Sequence, residues 1–379
     1  MRRLRGLVAR ADGSTLPGTV SFEETIMSVE AAGDSAGSDY VVPAFIDLQL
    51  NGADEIDVMD ASADALLRLS ARLAREGTGG WLPTALTAPL ERIEKTAAAI
   101  AEAAAEQSAR VCDAFSTAGA AARGCAAVAP ATILGMHLEG PFISPARLGA
   151  HPPFNLAPRG EALRRVAALK PLRLITLAPE LDGALEAIAY LGARGVAVSL
   201  GHTDATLEQA QAALAAGARM FTHTFNAMAP LHHRRPGAAA AAMLPSRARA
   251  AVVADGVHLH PEMLRLLYRA RGAAGICLTT DRVATAGEAG VAVAKDGAAR
   301  TPDHRLAGSV ISMLDGARTM IERAGASVGE AALMGATNPA RVLGLSDRGK
   351  IDVGARADLL VLGSALELKA VLIGGRELA

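Results

Sequence analysis

Histidines and carboxylates in this chain gather where short apolar runs stop. Met136-His137-Leu138-Glu139-Gly140-Pro141, Gly201-His202-Thr203-Asp204, Thr222-His223-Thr224-Phe225-Asn226, Asp255-Gly256-Val257-His258 and Thr280-Asp281 each put a ligand type or a proton carrier at such a point. Glu139, His202 and His223 come from three separate runs. One carboxylate and two imidazoles with an open coordination position suit a single catalytic divalent ion, zinc or a similar first-row metal. A lone histidine at a strand end usually caps the strand or donates to a carbonyl. Several at equivalent ends point instead to joint ligation. Asp281, on the last run, is the natural general base, since a carboxylate beside a metal-activated water can take its proton and later return it.

Gln49 and Asn51 stand two apart in Asp47-Leu48-Gln49-Leu50-Asn51-Gly52, so both side chains point the same way on a strand. Amides are poor ligands beside imidazole, which argues against a second tightly held metal on that side. Arg234-Arg235, after His232-His233, is the tight basic cluster just beyond the His223 run. A guanidinium suits bidentate contact with phosphate.

These residues need a scaffold that brings strand ends together. Apolar runs at 44–50, 80–86, 132–138, 172–177, 196–200, 219–222, 250–254 and 275–279 alternate with helix-period stretches. Residues 63–76 set Leu66, Leu69 and Leu73 on one face and stop at Gly77, and 206–216 and 261–270 behave similarly. Eight β-then-α units in series predict an α/β fold, a closed (β/α)8 TIM barrel. An open doubly wound sheet would need a Gly-rich first turn, which is missing. Short alternating strands at both chain ends are too few to bury a core separately and pair as one small β-sandwich domain. The expected organisation is 1–42 and 346–379 in that small domain around a barrel at 43–345. The Ala-, Ser- and Gly-rich stretch 112–129 reads as a loop or an irregular helix end.

Composition narrows the function. With 38 Lys and Arg against 39 Asp and Glu the formal net charge is −1, and 51% of residues are hydrophobic. That balance supports a large core and gives no field for gripping nucleic acid or an acidic membrane, so an anionic ligand must be held by a local cluster. No apolar run approaches the roughly 20 residues of a membrane span. The basic start, Met1-Arg2-Arg3-Leu4-Arg5, lacks the apolar segment of a signal peptide. Cys112, Cys125 and Cys277 are odd in number without CxxC spacing, against a disulfide framework. A cytoplasmic protein is expected.

The full set of motifs resembles the N-acetylglucosamine-6-phosphate deacetylases of the amidohydrolase superfamily. It comprises Pro43-Ala44-Phe45-Ile46-Asp47-Leu48-Gln49-Leu50-Asn51-Gly52, His137-Leu138-Glu139-Gly140-Pro141-Phe142, Gly201-His202-Thr203-Asp204-Ala205-Thr206, Thr222 to Met228, Asp255-Gly256-Val257-His258, Thr280-Asp281, Leu306-Ala307-Gly308-Ser309, Ala336-Thr337-Asn338-Pro339-Ala340 and the Ala357-Asp358-Leu359 tail. The order runs across nearly the whole chain. The resemblance implies one divalent ion per subunit, zinc first, with iron, cobalt or manganese open, held by Glu139, His202 and His223. Asp281 would activate water for attack on an acetamide and protonate the leaving amine. Gln49 and His258 would face a phosphorylated amino sugar, Ala150 and His151 would line the sugar site with Leu306 and Ser309, and Asn226 and Ala227 would hold the phosphate. Arg234 would reach that phosphate across a homodimer interface. The C4 configuration of the sugar stays open, so the galactosamine isomer is an alternative, as is another amide or cyclic imide. A non-catalytic scaffold would show broken ligands, and these are intact. Two departures from the family pattern carry no assignment at this point: the acids of Ala53-Asp54-Glu55-Ile56-Asp57, and Arg282 after Asp281.

Overall fold

A computed structural model describes residues 1–32, 37–116, 130–285, 291–294 and 297–378. Eight parallel strands follow one another around a barrel: Phe45–Leu50, Thr78–Leu86, Met136–Glu139, Leu172–Leu177, Ala197–Leu200, Met220–Phe221, Arg249–Val253 and Ile276–Thr279. The ring closes beyond the last strand, where Asp281 N donates to Gln49 O at 2.9 Å and Asn51 N to Arg282 O at 2.7 Å. Expected and observed strands agree to within about two residues, with one exception. The expected run at 132–138 is broken into Thr132–Ile133 and Met136–Glu139. The break falls at Gly135 (φ 131), where a Cβ would lie 2.2 Å from Arg173 Cγ and 2.7 Å from Pro171 O. Only glycine meets both demands.

The helices follow from their caps and apolar stripes. Ala63–Arg75 starts at Ser62, whose side chain accepts from Ala65 N, and buries Leu66, Leu69 and Leu73 before Gly77 turns the chain. Leu207–Ala215 opens with a capping box between Thr206 and Gln209. Pro261–Arg271 carries proline in its first turn, where a missing N–H costs nothing. The helix Leu90–Ser116 is longer than expected and takes in 112–116; the rest of the 112–129 stretch lies outside the described residues.

Inside the barrel the period-two alternation of strands builds two layers. The lower is apolar: Ile46, Leu82, Leu174, Ala197, Met220, Ala251 and Cys277 form one cluster, closed from below by Ala340, Val342 and Leu343. Two residues further along most of the same strands lie Thr84, Thr176, Ser199, Thr222 and Thr279, all buried. This hydroxyl layer is the floor of the site.

The two chain ends form the small sandwich-type unit that the sequence predicts. Its sheet runs in the order Arg376–Glu377, Leu368–Ile373, Leu359–Leu362, Tyr40–Pro43, Arg2–Ala9, Thr15–Phe22, Ile26–Ala31. N- and C-terminal parts meet where Leu359–Leu362 pairs antiparallel with Tyr40–Pro43. Val8, Val20, Phe22, Val41, Leu359 and Leu372 fill its own cluster, while Val42, Leu360, Leu362 and Ile373 face the other way into the main core. Alternate residues thus bury both faces of this sheet, so the terminal unit and the barrel stabilise each other.

Candidate active site

Glu139 ends the third strand, and His202, His223 and Asp281 each follow a strand end at the same mouth. Glu139, His202 and His223 are 2%, 3% and 5% exposed, and one ligand atom from each lies within 4.8 Å of the others. His223 Nε2 is 2.9 Å and His202 Nε2 3.2 Å from Glu139 Oε1, and the two ring nitrogens are 3.0 Å apart. His202, His223 and Asp281 have φ of 48°, 24° and 48°. Non-glycine residues avoid this left-handed region, at a cost of about 1–3 kcal/mol each, and hold it where the surroundings impose it.

The donor set fits a divalent cation. His202 Nδ1 donates to Arg147 O at 2.9 Å, so the neutral ring carries its lone pair on Nε2. That nitrogen nevertheless faces a carboxylate oxygen, and two acceptors aimed at one point are satisfied by a positive ion. The electrostatics agree. Burial opposes a charged His223 ring, yet the hydrogen bond and charge of Glu139, then the charge of Asp281, push it up to about 9. Burial likewise opposes ionisation of Glu139, but the close approach of His151, His202 and His223 holds it well below the ordinary carboxylate range.

Around this triad the amides of the first strand act as a bridge. Gln49 Nε2 donates to Glu139 Oε1 and to Asp281 Oδ1, both at 3.0 Å, while its Oε1 accepts from Thr222 Oγ1 at 2.6 Å. Asn51 Nδ2 donates to Asp281 Oδ1 at 2.7 Å. Asp281 Oδ2 keeps no hydrogen bond among the described residues and stays free for a proton. Burial, then the charge of Glu139, push the Asp281 carboxyl up to about 6.

The hollow above these groups, about 320 Å³, is lined by Gly149, Ala150, His151, Asn226, Ala227, His258 and Leu306 with the triad and Asp281. His151 Nε2 reaches Glu139 Oε2 at 3.4 Å. His258 Nδ1 pairs with Asp255 Oδ2 at 2.6 Å, which leaves Nε2 for a ligand. Ala227 N–H makes no hydrogen bond among the described residues. Three expected site residues do not line this hollow. Gln49 lies in its floor. Ser309 is buried beneath, its Oγ donating to Thr280 O and its N–H to Asp281 O at 2.9 Å, so it fixes the backbone of Asp281. Arg234 lines a neighbouring hollow with Arg147, His232 and Arg235.

Three of the residues left open by the sequence find places. Arg282 closes an ion pair with Glu76 at 2.6 Å. Asp54 pairs with Arg72. Asp57 accepts from Met59 N at 2.8 Å. Neither acid lines the hollow. His137 Nε2 bonds Thr176 Oγ1 at 2.8 Å and serves packing.

Sequence reasoning missed two groups. Asp47 is fully buried and gathers Thr279 Oγ1 at 2.8 Å, Thr280 Oγ1 at 2.5 Å, and the N–H groups of Gln49 and Thr280 at 3.2 Å. It ties the first strand to the last. Its signal was an acid inside an apolar strand, which demands hydrogen-bonding partners. Arg305 enters the hollow beside Leu306, and nothing in its local sequence separates it from a surface arginine.

The chain belongs to the amidohydrolase family, whose sequence profile matches residues 40–378. N-acetylgalactosamine-6-phosphate deacetylase of Escherichia coli O157:H7 is 37% identical over 355 residues, covering 89% of this chain and 88% of that protein. N-acetylglucosamine-6-phosphate deacetylase of Bacillus subtilis (strain 168) is 33% identical over 387 residues, with 98% and 92% covered. The solved N-acetyl-D-glucosamine-6-phosphate deacetylase of Mycobacterium smegmatis matches with a TM-score of 0.87 at 31% identity, over 100% of both chains. A mutant form of that protein, solved in complex with N-acetyl-D-glucosamine-6-phosphate, matches with a TM-score of 0.84 at 31% identity, over 99% and 98%.

Proposed function

We propose that the chain hydrolyses N-acetyl-D-glucosamine 6-phosphate to D-glucosamine 6-phosphate and acetate, with one divalent ion, zinc first among the candidates, held by Glu139, His202 and His223. The convergence of those three ligand atoms beside a buried carboxylate with a free oxygen carries the reading. The bound ion supplies Lewis acidity, which polarises the acetamide carbonyl and eases loss of a proton from water. Asp281 accepts that proton on Oδ2 and delivers it to the amine nitrogen as the C–N bond breaks. Gln49 and Asn51 keep Asp281 aimed, and Gln49 occupies the side where a second ion would need a ligand. His258 and His151 contact the substrate. Ala227 N–H and Asn226 take the phosphate.

Arg234 sits outside its own chain's hollow, which supports a homodimer in which it completes the phosphate site of a second copy. Placement in the cytoplasm belongs to this reading as an expectation; among the described residues no helix is long and apolar enough to cross a membrane. The 37% identity to a galactosamine-6-phosphate enzyme favours the galacto epimer as a second reading. Acetate release from the gluco and galacto 6-phosphates and from unphosphorylated N-acetylglucosamine separates these. Faster release from the gluco phosphosugar is expected. Equal rates with and without phosphate would remove the substrate assignment.

A further inference from the structure

The hollow that receives the substrate contains two buried carboxylates, Glu139 and Asp281, and among its lining residues Arg305 alone carries a permanent positive charge. A sugar 6-phosphate brings about two negative charges of its own. Something cationic must meet them within one chain before any second copy contributes.

Arg305 is built for that place. It stands on a strap of three short antiparallel strands, Ala292–Val293, Ala299–Arg300 and Leu306–Gly308. A closed turn sets its backbone: Thr301 N donates to Arg305 O at 3.0 Å, and Arg305 N to Thr301 Oγ1 at 3.1 Å. The guanidinium is tethered at two points. Nε donates to Asp303 Oδ2 at 2.7 Å and Nη1 to Gly149 O at 2.5 Å. Nη2 makes no hydrogen bond among the described residues, so one edge of the fork remains for a ligand.

The second tether places that edge over the hollow between His202 and Ala227: a Cβ at Gly149 would lie 3.4 Å from His202 Cε1 and 3.8 Å from Ala227 Cβ. Arg305 and Ala227 line the same hollow, and the residue that tethers Arg305, Gly149, lies beside Ala227, whose N–H is uncommitted among the described residues. A backbone N–H and a guanidinium edge on the same side are a phosphate-binding pair, and a guanidinium gives the stronger, oriented contact.

We propose that Arg305 is a second phosphate-binding residue of this site, supplied by the chain's own strap and distinct from Arg234. The proposal rests on the phosphosugar reading above.

Arg305→Gln removes the charge and keeps a shorter amide donor; Arg305→Lys keeps the charge and loses the fork. kcat and KM are measured with N-acetylglucosamine 6-phosphate and with N-acetylglucosamine, and inhibition constants with glucosamine 6-phosphate and glucosamine. Arg305→Gln is expected to raise KM and the inhibition constant about ten-fold or more for the phosphorylated compounds only, with Arg305→Lys between it and the wild type. A purely structural clasp on Gly149 would shift phosphorylated and unphosphorylated ligands alike, and that result overturns the proposal. So does a wild-type phosphate preference that survives intact in Arg305→Gln. A wild type with no phosphate preference would overturn the substrate reading itself, and Arg305 with it.

Discussion

Leu174 and Thr176 lie two residues apart on one barrel strand, as do Met220 and Thr222, and Cys277 and Thr279. The first of each pair packs into the apolar layer among aliphatic and sulfur-bearing side chains. The second enters the hydroxyl layer, where Thr176 bonds His137, Thr222 bonds Gln49 and Thr279 bonds Asp47. A step of about 7 Å along the strand separates a region held by nondirectional burial from one held by hydrogen bonds of fixed direction. Beyond the hydroxyls the chain turns left-handed at His202, His223 and Asp281. The lower layer tolerates no cavity yet places no reacting group. The mouth carries backbone strain and buried charge that the lower layer, by its packing, offsets.

Substitutions on the two sides should therefore separate stability from chemistry. The largest effect is expected from Asp281→Asn, which keeps the hydrogen bond from Asn51 and loses the proton acceptor. Turnover should fall roughly 10³–10⁴-fold, with metal content by elemental analysis and thermal stability unchanged. Stoichiometric loss of metal would make Asp281 a ligand instead. In the lower layer, Leu174→Ala should cost about 2–5 kcal/mol of unfolding free energy by denaturant titration, with kcat/KM nearly retained. A comparable loss of activity in the folded variant would show that the layers are coupled.

Smaller effects sharpen the picture of the mouth. Arg234→Ala should raise KM for the phosphosugar about ten-fold or more and leave the unphosphorylated amide alone. Mixing Arg234→Ala with Asp281→Asn chains should restore part of the activity if the arginine works in a second copy. No restoration in verified heterodimers would place it within its own chain. The subtlest test is pH. Only the carboxylate form of Asp281 accepts a proton, so kcat/KM should fall as pH drops through its pKa, pushed up to about 6 by burial and the charge of Glu139. A bound cation favours the carboxylate and moves this acid limb lower. A limb that persists unchanged in the residual rate of Asp281→Asn would belong to another group.

The barrel and the metal triad were legible in the sequence because both follow from strict local rules. Strand runs, caps and stop signals repeat with fixed period, and reactive residues of this fold sit at strand ends. What stayed hidden depends on pairings between distant segments. Gln49 reads as a substrate-facing amide, but its two hydrogen bonds to residues 90 and 232 positions away make it a bridge between Glu139 and Asp281. Ser309 belongs to a site motif yet points beneath it, because Arg282 and Ser309 pair as neighbouring backbone. The break at Gly135 was lost inside an apolar run, since hydrophobicity does not report φ. Arg305 could be placed only once the strap was folded over Gly149.

The most direct test is metal removal and return. The enzyme is stripped with a chelator, and acetate release from N-acetylglucosamine 6-phosphate is followed while zinc is titrated back. Activity should vanish on stripping and recover in full at one equivalent per chain, as a single site of Glu139, His202 and His223 requires. Full activity in protein shown to be metal-free, or recovery that needs two equivalents, would contradict the account.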